Sequence, residues 1–267
     1  MRKLLKKLAK RTRLWKSINN IRERLDYISI QVDELQDKVD PLFYHDFEEC
    51  FRGSQDEIRS RLRKYTQVLT EQLNLLSDKV FVDIGCGRGE WLDILKENGV
   101  SNYIGIDINS VQIALCVEKG HKVQNTDCIK YLSTCDINSI DVITGFHIIE
   151  HLSLSALIEL LESCEKVLKP GGVILLETPN SRNLQTAASY FYIDPTHKRP
   201  MHMEFSRFLL TRSGFKSISV IQSAPMSKEN HLQPPIMGDN LQLWESNIDK
   251  LNSLLFSNQD YAIMGIK

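Results

Sequence analysis

The sequence predicts an α/β fold built around a mostly parallel β-sheet. Short apolar runs alternate along the chain with longer segments whose apolar residues recur at helical spacing. This alternation is typical of βαβ units, in which a crossover helix joins two parallel strands. The first predicted strand runs directly into a glycine-rich turn, and loops at the carboxyl ends of parallel strands hold the ligands of such folds. With 267 residues, 42% hydrophobic and 25% charged, the chain can bury a full core.

The first strand and its turn carry the clearest functional signal. Residues 79–92 read K-V-F-V-D-I-G-C-G-R-G-E-W-L. Gly85, Gly87 and Gly89 permit a sharp turn and let a ligand approach the main chain, and the free N–H groups of the helix that follows favour an anionic group. Their G-x-G-x-G spacing differs from the G-x-G-x-x-G of dinucleotide sites, and Asp83 precedes the first glycine by two residues. The stretch therefore predicts a nucleotide-sized binding site.

The remaining elements follow in order along the chain. Later strands are predicted at residues 102–107, 122–126, 141–146, 173–176, 217–222 and 261–266. Crossover helices are predicted at residues 90–96, 110–119 and 154–167, with further helices at 55–76, 204–212 and about 241–255. Asp107 ends the second strand, where a carboxylate can accept hydrogen bonds from a ribose diol. Asp127 follows the third strand and His147 the fourth.

These motifs together resemble those of class I S-adenosylmethionine-dependent methyltransferases. The resemblance rests on the glycine loop with Asp83, on Asp107, on Asp127, and on the V-L-K-P-G-G turn at residues 167–172. It implies a Rossmann-like class I methyltransferase fold with a mostly parallel seven-stranded sheet over residues 41–267, and S-adenosylmethionine as the cofactor. The cofactor-binding residues that it implies are Tyr44, Arg52, Asp83, Gly85, Cys86, Gly87, Asp107, Ile108, Asn109, Asp127, Cys128 and His147. By the same resemblance, Asp83 lies near the cofactor's amino group and Arg52 pairs with its carboxylate.

Residues 1–40 are predicted to form a separate basic, amphipathic and coiled-coil helix. Eight basic residues lie between Arg2 and Lys16 with no acidic residue among them, which suits an anionic membrane surface; nucleic acid is the competing partner, and we expect none. Apolar residues then recur in alternating steps of four and three, which predicts a coiled-coil seam. They are Leu14, Ile18, Ile21, Leu25, Ile28, Val32, Leu35 and Val39. We expect a homo-oligomer, with dimer and trimer both open, rather than a helix packed on its own domain.

The cysteines and the apolar runs indicate in which cellular compartment the protein is expected. Six cysteines occur without a C-x-x-C pair and no signal peptide is visible, so the sequence favours a reducing cytosol. No apolar run approaches the roughly 20 residues that span a bilayer. We expect a cytoplasmic protein that is peripheral on the inner face of the cytoplasmic membrane. Pro41 is expected to stop the coiled coil, and residues 44–53 to form an aromatic and charged joint.

Three further motifs narrow the resemblance. F-E-E-C-F-R-G-S at residues 47–54, E-T-P-N at 177–180 and Y-I-D-P-T-H-K-R-P at 192–200 resemble the methyltransferase domain of bacterial O-antigen and surface-polysaccharide chain-terminating enzymes. That family methylates the non-reducing end of a lipid-linked polysaccharide, and a coiled coil helps to hold the enzyme to the polysaccharide polymerase. Its best-known members carry a kinase after the methyltransferase, and this sequence shows no kinase signature. The acceptor is therefore left open between a sugar hydroxyl and a sugar phosphate.

Two histidines are the candidate catalytic residues. A hydroxyl acceptor must lose its proton during attack, and a histidine is the usual proton acceptor. His147 is the first choice and His197 the second; His197 with Lys198 and Arg199 could instead bind an anionic group. Some hydroxyl methyltransferases of the resembled fold bind Mg²⁺ through acidic and histidine residues at the place of Glu150 and His151. Mg²⁺ prefers oxygen ligands and only one carboxylate is evident, so the sequence predicts no metal site. A quinone-type O-methyltransferase and a coiled-coil scaffold for a glycan polymerase are the alternative functions.

Overall fold

The computed structural model describes residues 39–235 and 240–267. The basic segment and nearly all of the predicted coiled coil lie outside the described residues, so both stay predictions. The chain divides into two compact units, Met1–Tyr44 and His45–Lys267. The second unit contains the whole β-sheet.

A seven-stranded sheet forms the centre of the second unit. Its strands are β1 Phe81–Ile84, β2 Tyr103–Asp107, β3 Val123–Asn125, β4 Ile140–Phe146, β5 Leu168–Pro179, β6 Lys216–Ser223 and β7 Asp260–Ile266. They are arranged in the order β3-β2-β1-β4-β5-β7-β6. Neighbouring strands are parallel except at β7, which is antiparallel to both β5 and β6. The predicted Rossmann-like, mostly parallel seven-stranded fold is therefore confirmed.

Helices flank this sheet. They are α1 Pro41–Phe51, α2 Gln55–Leu62, α3 Lys64–Leu73, α4 Glu90–Glu97, α5 Ser110–Glu118, α6 Cys128–Thr134, α7 Leu154–Val167, α8 Leu184–Ala188, α9 Met203–Arg212 and α10 Leu241–Leu255. Short 3₁₀ helices occur at Ile149–His151, Tyr190–Ile193 and Lys228–Asn230. Among residues 39–235 and 240–267, no helix is both long enough and apolar enough to cross a membrane.

Two apolar clusters cover the two faces of the sheet. Val82 and Ile143 belong to one cluster, whereas their chain neighbours Phe81 and Val142 belong to the other. This division follows from the two-residue period of a strand, which points successive side chains to opposite faces. Helix α7 packs in the first cluster and α4 in the second. Because both faces are covered, the strand ends and their loops are where polar side chains gather.

The stretch after the predicted coiled coil differs from expectation. Pro41 begins helix α1, and residues 44–51 of the predicted aromatic and charged joint belong to that helix. That Pro41 also ends the coiled coil stays a prediction. Asp40 Oδ1 accepts a hydrogen bond from Leu42 N at 2.7 Å, as an N-cap residue does. Proline suits the first helical position because its missing N–H would have no intrahelical partner there.

Three further boundaries differ from the predicted ones. The helix predicted over residues 55–76 is two helices, α2 and α3, divided at Arg63. Helix α6 was not predicted; Asp127 caps it by accepting a hydrogen bond from Lys130 N at 2.9 Å. Strand β5 is longer than the predicted 173–176 because its pairing with β7 continues to Pro179. That extension carries Glu177 and Thr178 to the carboxyl edge of the sheet.

Candidate functional site

The glycine loop after β1 is tightly built. Gly85 and Gly87 have φ angles of +67° and +51°, in the left-handed region that favours glycine. A Cβ at Gly85 would lie 3.0 Å from Ile148 Cδ1, and one at Gly87 would lie 3.3 Å from Arg52 Nη1. The predicted glycines therefore serve both the turn and the close approach of neighbouring side chains.

Two carboxylates flank this loop at the ends of β1 and β2. Asp107 accepts hydrogen bonds from Gly87 N at 2.9 Å and from Asn109 N at 2.8 Å, one on each oxygen. Asp83 accepts one from Thr144 Oγ1 at 2.7 Å and is only 2% exposed. Burial raises the pKa of Asp107, and it raises the pKa of Asp83 to about 8. A nearby positive charge on a ligand would favour ionisation of both groups.

Arg52 supplies a cation beside the same loop. Its Nη1 forms a salt bridge of 2.6 Å with Glu48 Oε1. The other Glu48 oxygen accepts a hydrogen bond from Gln112 Nε2, in helix α5. The Arg52 charge also acts to lower the pKa of Asp83 and of Asp107. The predicted Arg52 therefore lies near both loop carboxylates.

Arg88, between the second and third loop glycines, anchors the segment that carries Arg52. Its side chain is 0% exposed and forms ion pairs with Glu49 at 2.6 Å and with the buried Glu90 at 2.8 Å. Its Nη2 also donates to the carbonyl of Gly53 at 3.2 Å. Sequence reasoning missed this residue. A large cation between two glycines of a tight loop was the signal that could have found it.

The other predicted cofactor residues have varied surroundings. Asn109 caps α5 and Asp127 caps α6, while Ile108 is 75% exposed beside Asp107. Cys86 and Cys128 are buried, and their thiol pKa values are raised, which makes both unreactive. Tyr44 lies in α1 but belongs to the first compact unit, so its contact with the cofactor stays a prediction.

This donor set fits S-adenosylmethionine. The glycine loop offers main-chain approach at the start of α4, as nucleotide sites do. Asp107 ends β2, where a ribose diol is bound in this class of fold. Asp83 can balance an amino cation, and Arg52 can pair with a carboxylate.

His147 lies directly after β4 in a strained backbone conformation. Its φ of +58° is uncommon for a residue other than glycine, and such strain clusters at functional sites. Its Nδ1 lies 3.1 Å from Glu150 Oε1. Its Nε2 lies 3.6 Å from Glu177 Oε1 and 3.9 Å from Asp260 Oδ2, beyond normal hydrogen-bond length. Nε2 is thus the ring atom that faces the Glu177 and Asp260 carboxylates.

The carboxylates around His147 control its charge. Burial by itself lowers the pKa of His147, but Asp260, Glu150 and Glu177 outweigh it and raise that pKa well above its ordinary value. Burial raises the pKa of Asp260 to about 6. Burial opposes ionisation of Glu150 too, yet the His147 hydrogen bond and charge lower its pKa to about 2. At neutral pH His147 therefore carries its proton, and Asp260 is the member of this coupled pair that can take up another.

Sequence reasoning missed Glu177, Asp260 and Tyr65 in this group. Glu177 Oε2 accepts hydrogen bonds from the Tyr65 hydroxyl and from Ser223 Oγ, the latter at 2.6 Å. Glu177 lies in the apolar strand β5 and Asp260 begins β7. Charged residues at the edges of apolar strands were the available signal. Nothing in the local sequence indicated Tyr65, because it lies in helix α3 and reaches Glu177 only through packing.

His197, the second predicted catalytic residue, lies beside His151 rather than bonding to His147. The His151 and His197 rings are 4.6 Å apart between centroids. The loop that carries His197 is held against the turn after β4 by a hydrogen bond of 2.9 Å from Lys198 N to the Glu150 carbonyl. The structure therefore brings both candidate histidines to Glu150, from the loops after β4 and β5.

Comparison with known proteins agrees with this geometry. The sequence model of a family described as a methyltransferase domain matches residues 55–220. The crystal structure of an S-adenosylmethionine-dependent methyltransferase from Archaeoglobus fulgidus is 36% identical, with a TM-score of 0.76. The alignment covers 84% of this chain and all of that one.

Curated relatives are more distant. A probable S-adenosylmethionine-dependent methyltransferase from Mycolicibacterium smegmatis is 25% identical over 58% of this chain and 58% of its own length. A ubiquinone biosynthesis O-methyltransferase from Bradyrhizobium sp. is 31% identical over 44% of this chain and 46% of its own length. The chain thus spans about half the length of the curated relatives that it matches.

Proposed function

Because this chain belongs to the family of class I S-adenosylmethionine-dependent methyltransferases, we propose that it methylates a hydroxyl oxygen on the terminal sugar of a bacterial surface polysaccharide. When bound, S-adenosylmethionine supplies an activated methyl group to a nucleophile held in line with it. The residues of this chain then have three tasks: to hold the cofactor, to orient the acceptor and to take the acceptor's proton.

The observation that carries the hydroxyl proposal is the environment of His147 Nε2. Glu150 engages Nδ1 at 3.1 Å and so orients the ring. Among the residues that the structure describes, the Glu177 and Asp260 carboxylates lie 3.6 Å and 3.9 Å from Nε2. Two carboxylates at this position disfavour a phosphate acceptor, because like charges repel. A neutral hydroxyl can bind there and pass its proton to the Asp260 carboxylate, which lies beside the charged His147 ring.

The polysaccharide part of the proposal rests on motifs that meet around this site. Thr178, of the E-T-P-N motif, donates to Glu150 Oε2 at 2.9 Å. His197, of the Y-I-D-P-T-H-K-R-P motif, packs against His151 at 4.6 Å. In the same loop Tyr190 and Tyr192 are 45% and 68% exposed. An apolar ring with a polar tip suits a sugar, which offers both an apolar face and hydroxyls.

The proposal extends to the partners. A lipid-linked acceptor and a polysaccharide polymerase would bring the protein to the cytoplasmic membrane, where methylation of the chain end stops elongation. The basic segment and the coiled coil of residues 1–40 would provide membrane contact and oligomerisation. Deleting residues 2–16 tests the first role: the variant should leave the membrane fraction, and its retention there would contradict this role.

The experiment is methyl transfer from labelled S-adenosylmethionine to lipid-linked polysaccharide. We expect label at the glycan terminus, a loss of about 10²–10⁴-fold in the methyl-transfer rate of His147→Gln, and a much smaller loss of cofactor affinity in that variant. His231→Gln is the matched control, because His231 packs on Phe256 near α10 and should behave as wild type. A His147→Gln rate within threefold of wild type would refute the role of the His147 and Asp260 pair in removing the proton.

The ubiquinone-type relatives favour a second candidate, O-methylation of a quinone precursor. A phenolic hydroxyl would use the same His147 site. Supplying a catechol-type quinone precursor in the same assay separates the two functions. Label in the quinone ring and none in the glycan would select the second candidate.

A further inference from the structure

Glu150, His151 and His197 form a cluster whose chemistry the methyl-transfer proposal leaves unused. One ligand-type atom from each residue lies within 4.8 Å of the other two. Glu150 and His151 come from the 3₁₀ turn after β4, and His197 comes from the loop after β5. Glu150 is 0% exposed. A buried carboxylate between two imidazoles is a donor set that the fold assembles from distant parts of the chain.

Hydrogen bonds determine which nitrogen of His151 carries its proton in the neutral ring. His151 Nδ1 lies 2.8 Å from Thr196 Oγ1. The Thr196 hydroxyl has a single hydrogen, and it donates that hydrogen to Asp194 Oδ1 at 2.6 Å. The hydroxyl oxygen must therefore accept from His151 Nδ1–H. The lone pair of neutral His151 is then on Nε2.

His197 is oriented in the same way by a main-chain group. Its Nδ1 lies 2.7 Å from the carbonyl oxygen of Phe191, which can only accept a hydrogen bond. Nδ1 must carry the hydrogen, so the lone pair of neutral His197 is also on Nε2. Metal-binding histidines almost always donate their second ring N–H to a carbonyl, carboxylate or other fixed acceptor in this manner.

We propose that Glu150, His151 and His197 bind one divalent transition-metal ion. Two imidazole nitrogens and one carboxylate suit Mn²⁺, Fe²⁺, Co²⁺ or Zn²⁺, whereas Mg²⁺ and Ca²⁺ take oxygen ligands. Three protein ligands leave coordination positions open for an acceptor oxygen. The sequence prediction of no metal considered only an oxygen-coordinated Mg²⁺ site and did not place His197 beside Glu150.

The ion would act together with His147, which shares the Glu150 carboxylate. A divalent ion lowers the pKa of an oxygen that it binds, so a bound hydroxyl would lose its proton more easily. This role in acceptor binding rests on the proposed function. Ion binding itself depends only on the three ligands and can be measured without any acceptor.

The test is Mn²⁺ binding to the full chain after removal of metals with EDTA. The electron paramagnetic resonance signal of free Mn²⁺ reports binding directly, and Mn²⁺ avoids the thiolates of the six cysteines. We expect one ion for each chain. Binding should be at least about tenfold weaker in His151→Gln and in His197→Gln, and about tenfold weaker in Thr196→Val, which removes the acceptor of His151 Nδ1. His231→Gln, whose histidine lies outside the cluster, should bind as wild type.

Other outcomes would overturn the site. No binding of Mn²⁺ or Zn²⁺ by wild type at 1 mM, or equal Mn²⁺ binding by wild type and the His151→Gln/His197→Gln double variant, would refute it. Circular dichroism and the urea midpoint of each variant show whether a loss of Mn²⁺ binding is only a loss of folding. Thr196→Val keeps the side-chain shape, so this variant should fold as wild type and still bind Mn²⁺ more weakly. If the ion binds as expected but no glycan is methylated, the metal site is supported and the proposed polysaccharide substrate is refuted.

Discussion

Replacing Arg88 with methionine tests whether this buried cation holds the cofactor loop to the segment that carries Arg52. Methionine is similar in length to arginine but has no charge. The Glu90 carboxylate, 2% exposed, then loses its partner at 2.8 Å. Glu49 is 51% exposed at its side chain, so water replaces most of that interaction. Breaking a buried ion pair from one side costs about 3–5 kcal/mol. We therefore expect the free energy of unfolding to fall by about that amount.

The assay is urea unfolding at pH 7, with cofactor affinity measured in parallel. Arg212→Met is the matched control, because the Arg212 and Glu162 side chains are 56% and 60% exposed and their contact is 3.7 Å long; it should cost at most about 1 kcal/mol. The double variant Arg88→Met/Glu90→Gln should regain more than about 1 kcal/mol, since the uncompensated charge is gone. Equal losses of unfolding free energy for Arg88→Met and Arg212→Met would show that the reasoning is wrong.

Three further predictions concern the loop and the histidine site. Gly87→Ala should weaken S-adenosylmethionine binding at least about tenfold, because its φ is +51° and the added Cβ meets Arg52, and left-handed backbone costs about 1–2 kcal/mol. The control Gly99→Ala, with φ +76° and no atom within 4 Å of the added Cβ, should lose a similar free energy of unfolding in urea but keep the wild-type cofactor affinity in calorimetry. Equal cofactor affinities for the two variants would contradict this prediction. Burial raises the pKa of Asp83 from an ordinary 3.8 to about 8, so the native state holds this proton more tightly and the Asp83 contribution to stability is lost as pH rises from about 4 to 8. The free energy of unfolding of Asp83→Asn in urea should therefore rise relative to wild type by more than about 2 kcal/mol over that pH range. If the two free energies of unfolding change in parallel with pH, the raised pKa is wrong. Tyr65→Phe removes a donor to the buried Glu177 and should cost about 1.5–3 kcal/mol, against no measurable cost for the exposed Tyr192→Phe; equal urea midpoints would be the contrary result.

The sheet order explains why the proposed chemistry lies where it does. β1 pairs with β2 on one side and with β4 on the other, so the cofactor loop, Asp107 and His147 follow three adjacent parallel strands. β5 and β7 are adjacent and antiparallel, with Pro179 opposite Asp260. The start of β7 therefore lies at the same edge as the end of β5. Cofactor residues gather on the β1 and β2 side of this edge, and the acceptor residues on the β4, β5 and β7 side.

Local pattern was enough to predict the parallel sheet, the glycine loop and its flanking carboxylates. Strand, turn and helix are determined by residues that are close together in the chain, such as the apolar run before Gly85 and the helical spacing after Gly89. His147 was also predictable, because it follows directly after a clear strand. The differences from prediction lay at the ends of elements: one predicted helix is divided at Arg63, Asp127 caps a short helix that was not predicted, and β5 extends beyond its predicted bounds.

Only the tertiary structure decided which side chains meet. Glu150 and His197 are brought together from the turns after neighbouring strands, and Tyr65 reaches Glu177 across 112 positions of the chain. Arg88 bonds to Glu49 across 39 positions. Such pairings depend on strand order, on register and on how the helices pack over the sheet. These properties come from burying two apolar faces at once, and no window of neighbouring residues contains them.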